Sequence, residues 1–160
     1  MSKLETISLV LSNRNMTLSV AESCTGGTFA SLLTALPGAS RWLKEALVVY
    51  SIDSKVQRLD ISLHEIQHHG VVSSYICKKM AENTKKLLKT NLGIGITGSA
   101  GPDTYPEIPP GRVYIALSTA QETACKLFEF SGSRLYVQEQ ASQAALDLLH
   151  IYLSKMESSI

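Results

Sequence analysis

Short apolar segments alternate with helical ones along most of this chain, and that alternation restricts the fold more than any other feature. Thr17–Ala21, Leu47–Tyr50 and Gly93–Thr97 each read as a short buried strand. Helical stretches separate them. Leu4, Ile7, Val10 and Leu11 recur at helical spacing in an opening helix that ends near Asn13–Asn15. Thr28–Ala35 turns helical before the breaker Leu36-Pro37-Gly38, and Ser74–Lys89 carries Ile76, Met80, Leu87 and Leu88 as a partial apolar face. Shorter helices are expected at Lys55–Leu59 and Leu63–Gln67. Val113–Thr119 and Ala124–Phe130 follow one another across a turn at Ala120–Glu122, which predicts an antiparallel pair. A last helix from about Leu135 to Lys155 aligns Val137, Ala141, Ala144, Ala145, Leu148 and Tyr152. Strands separated by helices need a sheet covered on both faces, and the final hairpin makes that sheet mixed. The expected fold is a three-layer α/β/α sandwich around a mixed, mostly parallel β-sheet.

At 160 residues, with no repeat or linker, the chain reads as a single domain over 1–160. Its 44% hydrophobic and 18% charged residues suit a globular core rather than disorder. A net charge of +1 argues against a dedicated nucleic-acid binder. No apolar run is long enough to span a bilayer, and the start lacks the basic, then apolar, pattern of a secretion signal. A cytoplasmic protein with no membrane partner is expected. Cys24, Cys77 and Cys125 have no paired spacing, so reduced thiols are expected rather than a disulfide framework or zinc knuckle.

The segment Glu22-Ser23-Cys24-Thr25-Gly26-Gly27 lies where a strand gives way to a helix. Ligands gather at the carboxyl ends of strands in open α/β sheets, and helix N-termini present N–H groups to anions. Two roles fit Ser23 and Thr25: capping the helix, or, for Ser23, attacking a carbonyl beside an anion nest. Cys24 reads as a small buried thiol or an alternative nucleophile. A serine nucleophile needs a base. Four histidines, His64, His68, His69 and His150, leave a triad open, but a lysine with a lowered pKa can do the same work. Lys55 follows the second strand at the same expected edge of the sheet, with Tyr50 just before it; the competing role is an exposed lysine on a short helix.

Two other clusters point elsewhere. His64 and His68 have the i, i+4 spacing of helical metal ligands, yet no Asp, Glu or Cys arrives at matching spacing, so no metal is expected. Lys78, Lys79, Lys85, Lys86 and Lys89 spread round more than half of one helix, as a solvated face does.

Taken in order, Ala21–Gly27, Val49-Tyr50-Ser51 with Lys55, His69-Gly70-Val71-Val72-Ser73 and Gly98-Ser99-Ala100-Gly101-Pro102-Asp103 resemble the CinA C-terminal domain family. The similarity runs from about residue 4 to residue 153. Active members of that family are nicotinamide-mononucleotide amidohydrolases with a three-layer α/β/α fold. The resemblance implies hydrolysis of the carboxamide of nicotinamide mononucleotide to nicotinic acid mononucleotide and ammonia. It makes Ser23 the nucleophile, Lys55 its general base and Tyr50 an assisting hydroxyl, without metal or cofactor. Backbone groups of Ser23, Cys24, Thr25, Gly26 and Gly27, with Gly98, Ser99, Ala100 and Gly101, would surround the substrate. Arg134 and Arg112 are the candidates for its phosphate. A homodimer or higher homo-oligomer is the expected assembly.

The chain departs from the family pattern after Asp103. Thr104 and Tyr105 replace two glycines, which predicts a stiffer, bulkier loop over Thr104–Pro110 and motivates an alternative function, a non-catalytic nucleotide-binding or interaction module on the same scaffold. Gln138 stands where an arginine is frequent, which weakens a phosphate role for that segment.

Overall fold

A computed structural model describes residues 1–103 and 107–159. Ser2 opens the first helix: its hydroxyl accepts from the Glu5 amide while the Glu5 carboxylate accepts from the Ser2 amide, a reciprocal cap. The order of elements is α1 (Lys3–Asn13), β1 (Leu18–Glu22), α2 (Thr28–Thr34), a 3-10 turn (Ala39–Arg41), β2 (Leu43–Val48), α3 (Ile52–Leu59), α4 (Leu63–His69), α5 (Ser74–Leu88), β3 (Leu92–Gly98), β4 (Arg112–Ser118), β5 (Thr123–Glu129) and α6 (Arg134–Ser158).

The strands form one sheet in the order β2-β1-β3-β4-β5. β1 runs parallel to β2 and β3, β4 antiparallel to β3, and β5 antiparallel to β4. Alternation along the strands divides the core in two. Leu18, Val20, Leu92, Ile94, Ile96, Val113 and Ile115 bury one face against Ile7 and Leu11 of α1, Phe29 and Leu33 of α2, and Val137 and Leu149 of α6. On the opposite face Ala21 packs with Leu59, Ile66, Ile76 and Met80, and Ala116 packs with Cys77 and Ala81, so α3, α4 and α5 form the third layer. The architecture is the expected α/β/α sandwich with a mixed sheet.

Two elements start three residues or more before the position read from the sequence. The second strand covers Leu43–Val48 rather than Leu47–Tyr50. It is an edge strand with Lys44 and Glu45 exposed, so its first half lacks the apolar run of a buried strand. Helix α3 starts at Ile52, not Lys55, because the Ser51 hydroxyl accepts from the Ser54 amide and caps it. That earlier start matters for the site. It places Lys55 and Leu59, one turn apart, on the buried face of α3.

The parallel register pairs Glu22 with Val48 and with Ile96, so the carboxyl ends of β1, β2 and β3 lie at one edge of the sheet. The segments that leave that edge carry Ser23, Tyr50 and the loop after Gly98.

Candidate active site

The turn that carries Ser23 is organised by a carboxylate. Glu22 is fully buried at the end of β1. Its Oε1 accepts from Thr25 Oγ1 at 2.7 Å, the Gly27 amide at 2.8 Å and the Phe29 amide at 3.4 Å, and its Oε2 accepts from the Ala30 amide at 2.9 Å. A negative side chain therefore occupies the N-terminus of α2, where orphan N–H groups and the helix dipole favour it. The Gly27, Phe29 and Ala30 amides are therefore taken by Glu22 and do not belong to an open anion nest. Gly26 and Gly27 adopt left-handed φ values of 58° and 101°, so they serve the turn itself. Thr25, buried with its hydroxyl on Glu22, belongs to the same support.

Across the sheet edge, Lys55 is only 1% exposed. Its Nζ donates to Ser23 Oγ at 3.0 Å and to the Val49 carbonyl at 2.7 Å. No carboxylate pairs with it among the described residues. Burial without a compensating anion pushes its pKa down to about 8. The neighbouring Cys24 thiol is pushed the other way, up to about 12, chiefly by burial. A thiol held so firmly protonated is a poor nucleophile, and among the described residues it is the Ser23 hydroxyl, not the Cys24 thiol, that is hydrogen-bonded to Lys55.

Ser23, Cys24, Tyr50, Gly98–Asp103 and Arg134 line a cavity of 530 Å³. A second, of 290 Å³, shares Ser23, Tyr50 and Gly98 and adds Lys55, Val71, Val72 and Thr97. The loop after β3 approaches Ser23 because its backbone is pinned: the Ser99 amide donates to the Arg112 carbonyl, and the Gly111 amide donates back to the Ser99 carbonyl. A Cβ on Gly98 would stand 2.5 Å from the Arg112 carbonyl oxygen, so glycine is required by close packing there. Arg134, the first residue of α6, donates from Nη1 to the Gly101 carbonyl and from Nη2 to Tyr50 Oη, both at 2.7 Å.

The structure thus brings Ser23, Lys55, Tyr50, Cys24, Gly98, Ser99, Ala100, Gly101 and Arg134 together. Tyr50 stands on the wall with its hydroxyl bound to Arg134 rather than to Ser23 or Lys55. Arg112 does not reach the cleft: it pairs with Glu129 across β4 and β5 at 2.6 Å. The expectation for the Thr104–Pro110 loop rests on Thr104 and Tyr105, which lie outside the described residues. Gln138 has a definite task, since its Nε2 donates to the Cys24 carbonyl at 3.0 Å and steadies the turn that carries Ser23. Among the described residues no group of three or more His, Cys, Asp or Glu side chains could hold a metal ion. His64 stacks on His68, and His69 stacks on Tyr75 at 3.6 Å. Glu22 is the residue supporting the Ser23 turn that the sequence reading passed over. An acidic residue closing an otherwise apolar strand, directly before a glycine turn, was the signal available.

Fold and site together define a class: an α/β/α domain with a buried serine–lysine pair at the carboxyl edge of its parallel strands. The chain matches the CinA C-terminal domain over residues 2–153 and belongs to that family. It is similar to the CinA-like protein of Syntrophotalea carbinolica, 38% identical over 151 residues that cover 94% of this chain and 37% of that protein. The CinA-like protein of Syntrophus aciditrophicus is 40% identical over 150 residues, 92% of this chain and 36% of that one. The chain therefore spans little more than a third of these relatives. Among solved structures, the competence damage-inducible protein A (ComA) of Klebsiella pneumoniae superposes with a TM-score of 0.91 at 27% identity, covering 95% of each chain. The competence or damage-inducible protein of Enterobacter asburiae gives a TM-score of 0.91 at 27% identity, covering 94% of this chain and 96% of that one.

Proposed function

We propose that the cleft hydrolyses a carboxamide, that its substrate is nicotinamide mononucleotide, and that Ser23 and Lys55 carry the reaction. The observation behind this reading is the lysine: buried, without an anionic partner, and 3.0 Å from the Ser23 hydroxyl. A neutral amine has one lone pair. With the Val49 carbonyl holding one N–H, that lone pair can face Ser23.

In the proposed reaction Lys55 takes the Ser23 proton as Oγ attacks the carboxamide carbon. The amides of Ala100 and Gly101, cleft residues whose N–H groups have no acceptor among the described residues, suit the developing oxyanion. Protonated Lys55 then gives its proton to the departing ammonia. Water, activated by the same amine, releases nicotinic acid mononucleotide. A guanidinium offers five donors, and the two N–H groups of Arg134 already engaged leave others for a phosphate. The volume of the cavity lies within the ordinary range for small-molecule sites.

The test is ammonia release from nicotinamide mononucleotide by metal-stripped protein, with Ser23→Ala and Lys55→Ala alongside. Turnover by the parent, falling by about 10³-fold or more in either variant, supports the mechanism. Turnover retained in purified Ser23→Ala overturns it. Binding without turnover in the parent replaces it with the non-catalytic module.

A further inference from the structure

Away from the cleft, two of the three cysteines meet between α5 and the edge strand β5. Cys77 of α5 is fully buried, and its Sγ donates to the carbonyls of Gly95 at 3.3 Å and Tyr114 at 3.2 Å. Cys125 of β5 packs against it in a small cluster with Ala81 and Ala116. In the sheet register Cys125 stands opposite Ala116, the β4 residue against which Cys77 and Ala81 of α5 pack. Cys125 alone of the three cysteines is open in part to solvent. Ser74 and Lys78 of α5 also act on the Cys125 thiol, and Lys78 does so through its positive charge. These neighbours, Cys77 first, bring the Cys125 thiol down to about 7, while burial pushes that of Cys77 well up. The partners are unequal: one sulfur reachable, the other sealed behind it.

We propose that Cys125 and Cys77 form a hydroperoxide-reactive pair in which Cys125 is the oxidised site and Cys77 resolves it to an intramolecular disulfide. The Cys125 thiolate attacks one peroxide oxygen. An S–O bond forms, the O–O bond breaks, and the other oxygen leaves as water or an alcohol after taking a proton; Cys125 becomes a sulfenic acid, oxidised by two electrons. Cys77 then leaves its carbonyl acceptors and attacks the Cys125 sulfur. The S–S bond forms as the S–OH bond breaks, and the hydroxide departs as water with the Cys77 proton. One peroxide is reduced and two thiol hydrogens are lost. Packing of Cys125 against the cluster that holds Cys77 favours this second step over further oxidation, and Cys24, buried in the turn after β1, takes no part.

The experiment treats the full chain with hydrogen peroxide, quenches it by alkylation in denaturant, and maps the peptides by mass. The expected result is a Cys77–Cys125 linked peptide with the mass of two hydrogens lost, Cys24 alkylated, and no covalent dimer. In Cys77→Ser the same dose stops at a Cys125 sulfenic acid, trapped by dimedone. In Cys125→Ser neither remaining thiol is oxidised. The unsubstituted chain decides the matter even where a variant folds poorly. A linked peptide containing Cys24, sulfinic acid on Cys125 in place of the disulfide, an intermolecular disulfide, or three unmodified thiols would each overturn the proposal.

Discussion

Arg134 Nη2 donates to Tyr50 Oη at 2.7 Å, and Nη1 of the same guanidinium donates to the Gly101 carbonyl at 2.7 Å. One planar side chain at the start of α6 thus ties the segment after β2 to the loop after β3 across the cleft. Tyr50 is 58% exposed, so this bond fixes a ring that burial does not. Arg134→Lys keeps the charge but loses the fork. It is expected to raise KM for nicotinamide mononucleotide by about 10-fold or more with a smaller change in kcat, since about 1.4 kcal/mol is tenfold in affinity. Tyr50→Phe removes one hydrogen bond, worth about 1 kcal/mol, and should cost about 5-fold in KM. Steady-state kinetics separates the roles: a collapse of kcat in Tyr50→Phe at unchanged KM would make Tyr50 a participant in the chemistry.

The pKa of Lys55 fixes the sign of the pH dependence. In the proposed reaction the amine must be neutral to accept the Ser23 proton, and burial brings its pKa down to about 8. The rate of the purified protein is expected to rise with pH, about tenfold per pH unit, and to level off above about 8. A flat profile between pH 6 and pH 9, taken as about two pH units below and one above that pKa, would remove Lys55 from the role of base.

Stability carries the same signature. The unfolded lysine holds its proton up to the ordinary range near 10.4, so between about 8 and that value the unfolded chain binds more protons and stability rises with pH. Below about 8 both states are protonated, and the folded state bears the full cost of a buried ammonium, roughly 3 kcal/mol. Lys55→Met should therefore abolish turnover yet raise Tm at pH 7, by about 2–4 °C per kcal/mol, with a smaller gain near pH 10. Calorimetry at both pH values checks this; an equal fall in Tm at both would contradict it.

Glu22 holds Ser23 in place without touching it. Its carboxylate accepts the Thr25 hydroxyl and the amides of Gly27, Phe29 and Ala30. In Glu22→Gln one oxygen becomes an NH₂ facing a backbone donor, so at least one buried N–H loses its acceptor. The expected cost is about 1–3 kcal/mol in urea unfolding. Turnover should fall through kcat, while the apparent pKa of the pH–rate profile stays with Lys55. Displacement of that pKa would show Glu22 acting on the amine instead.

The alternation of strands and helices was readable because each buried strand is an apolar run and each helix repeats on one face. Ser23 was legible as the end of a strand before two glycines. Whether Lys55 was buried was not, because a lysine on a short helix carries the same letters on either face. Its inward direction follows from the start of α3 at Ile52, and that start depends on the Ser51 cap. Leu43–Ala46 escaped notice because an edge strand has exposed polar residues. Contacts distant in sequence, such as Gln138 on the Cys24 carbonyl, leave no local pattern at all.

Gly95 illustrates a requirement of space alone. It lies in β3 on the face toward α5, and its φ lies outside the left-handed range, so any residue could adopt its backbone conformation. A Cβ there would stand 2.4 Å from the Cys77 carbonyl oxygen and 2.9 Å from the Ala81 amide nitrogen. Gly93, two residues earlier on the same face, would bring a Cβ within 2.2 Å of the Ala81 carbonyl oxygen. Helix α5 thus rests its backbone directly on β3. Gly95→Ala must push the helix off the sheet, at a cost of about 1–3 kcal/mol or more, because the opposing atoms cannot rotate away. For the same reason Ala81→Gly or Cys77→Ala should not rescue it, since each trims a side chain and leaves the obstructing backbone in place. Gly38→Ala provides the contrast: its Cβ would meet nothing within 4 Å, and its φ of 91° leaves conformational strain as the cost. Urea midpoints of the four single variants and the two doubles distinguish these causes. Recovery of Gly95→Ala by Ala81→Gly would mean that side chains, not backbone, set the approach of α5.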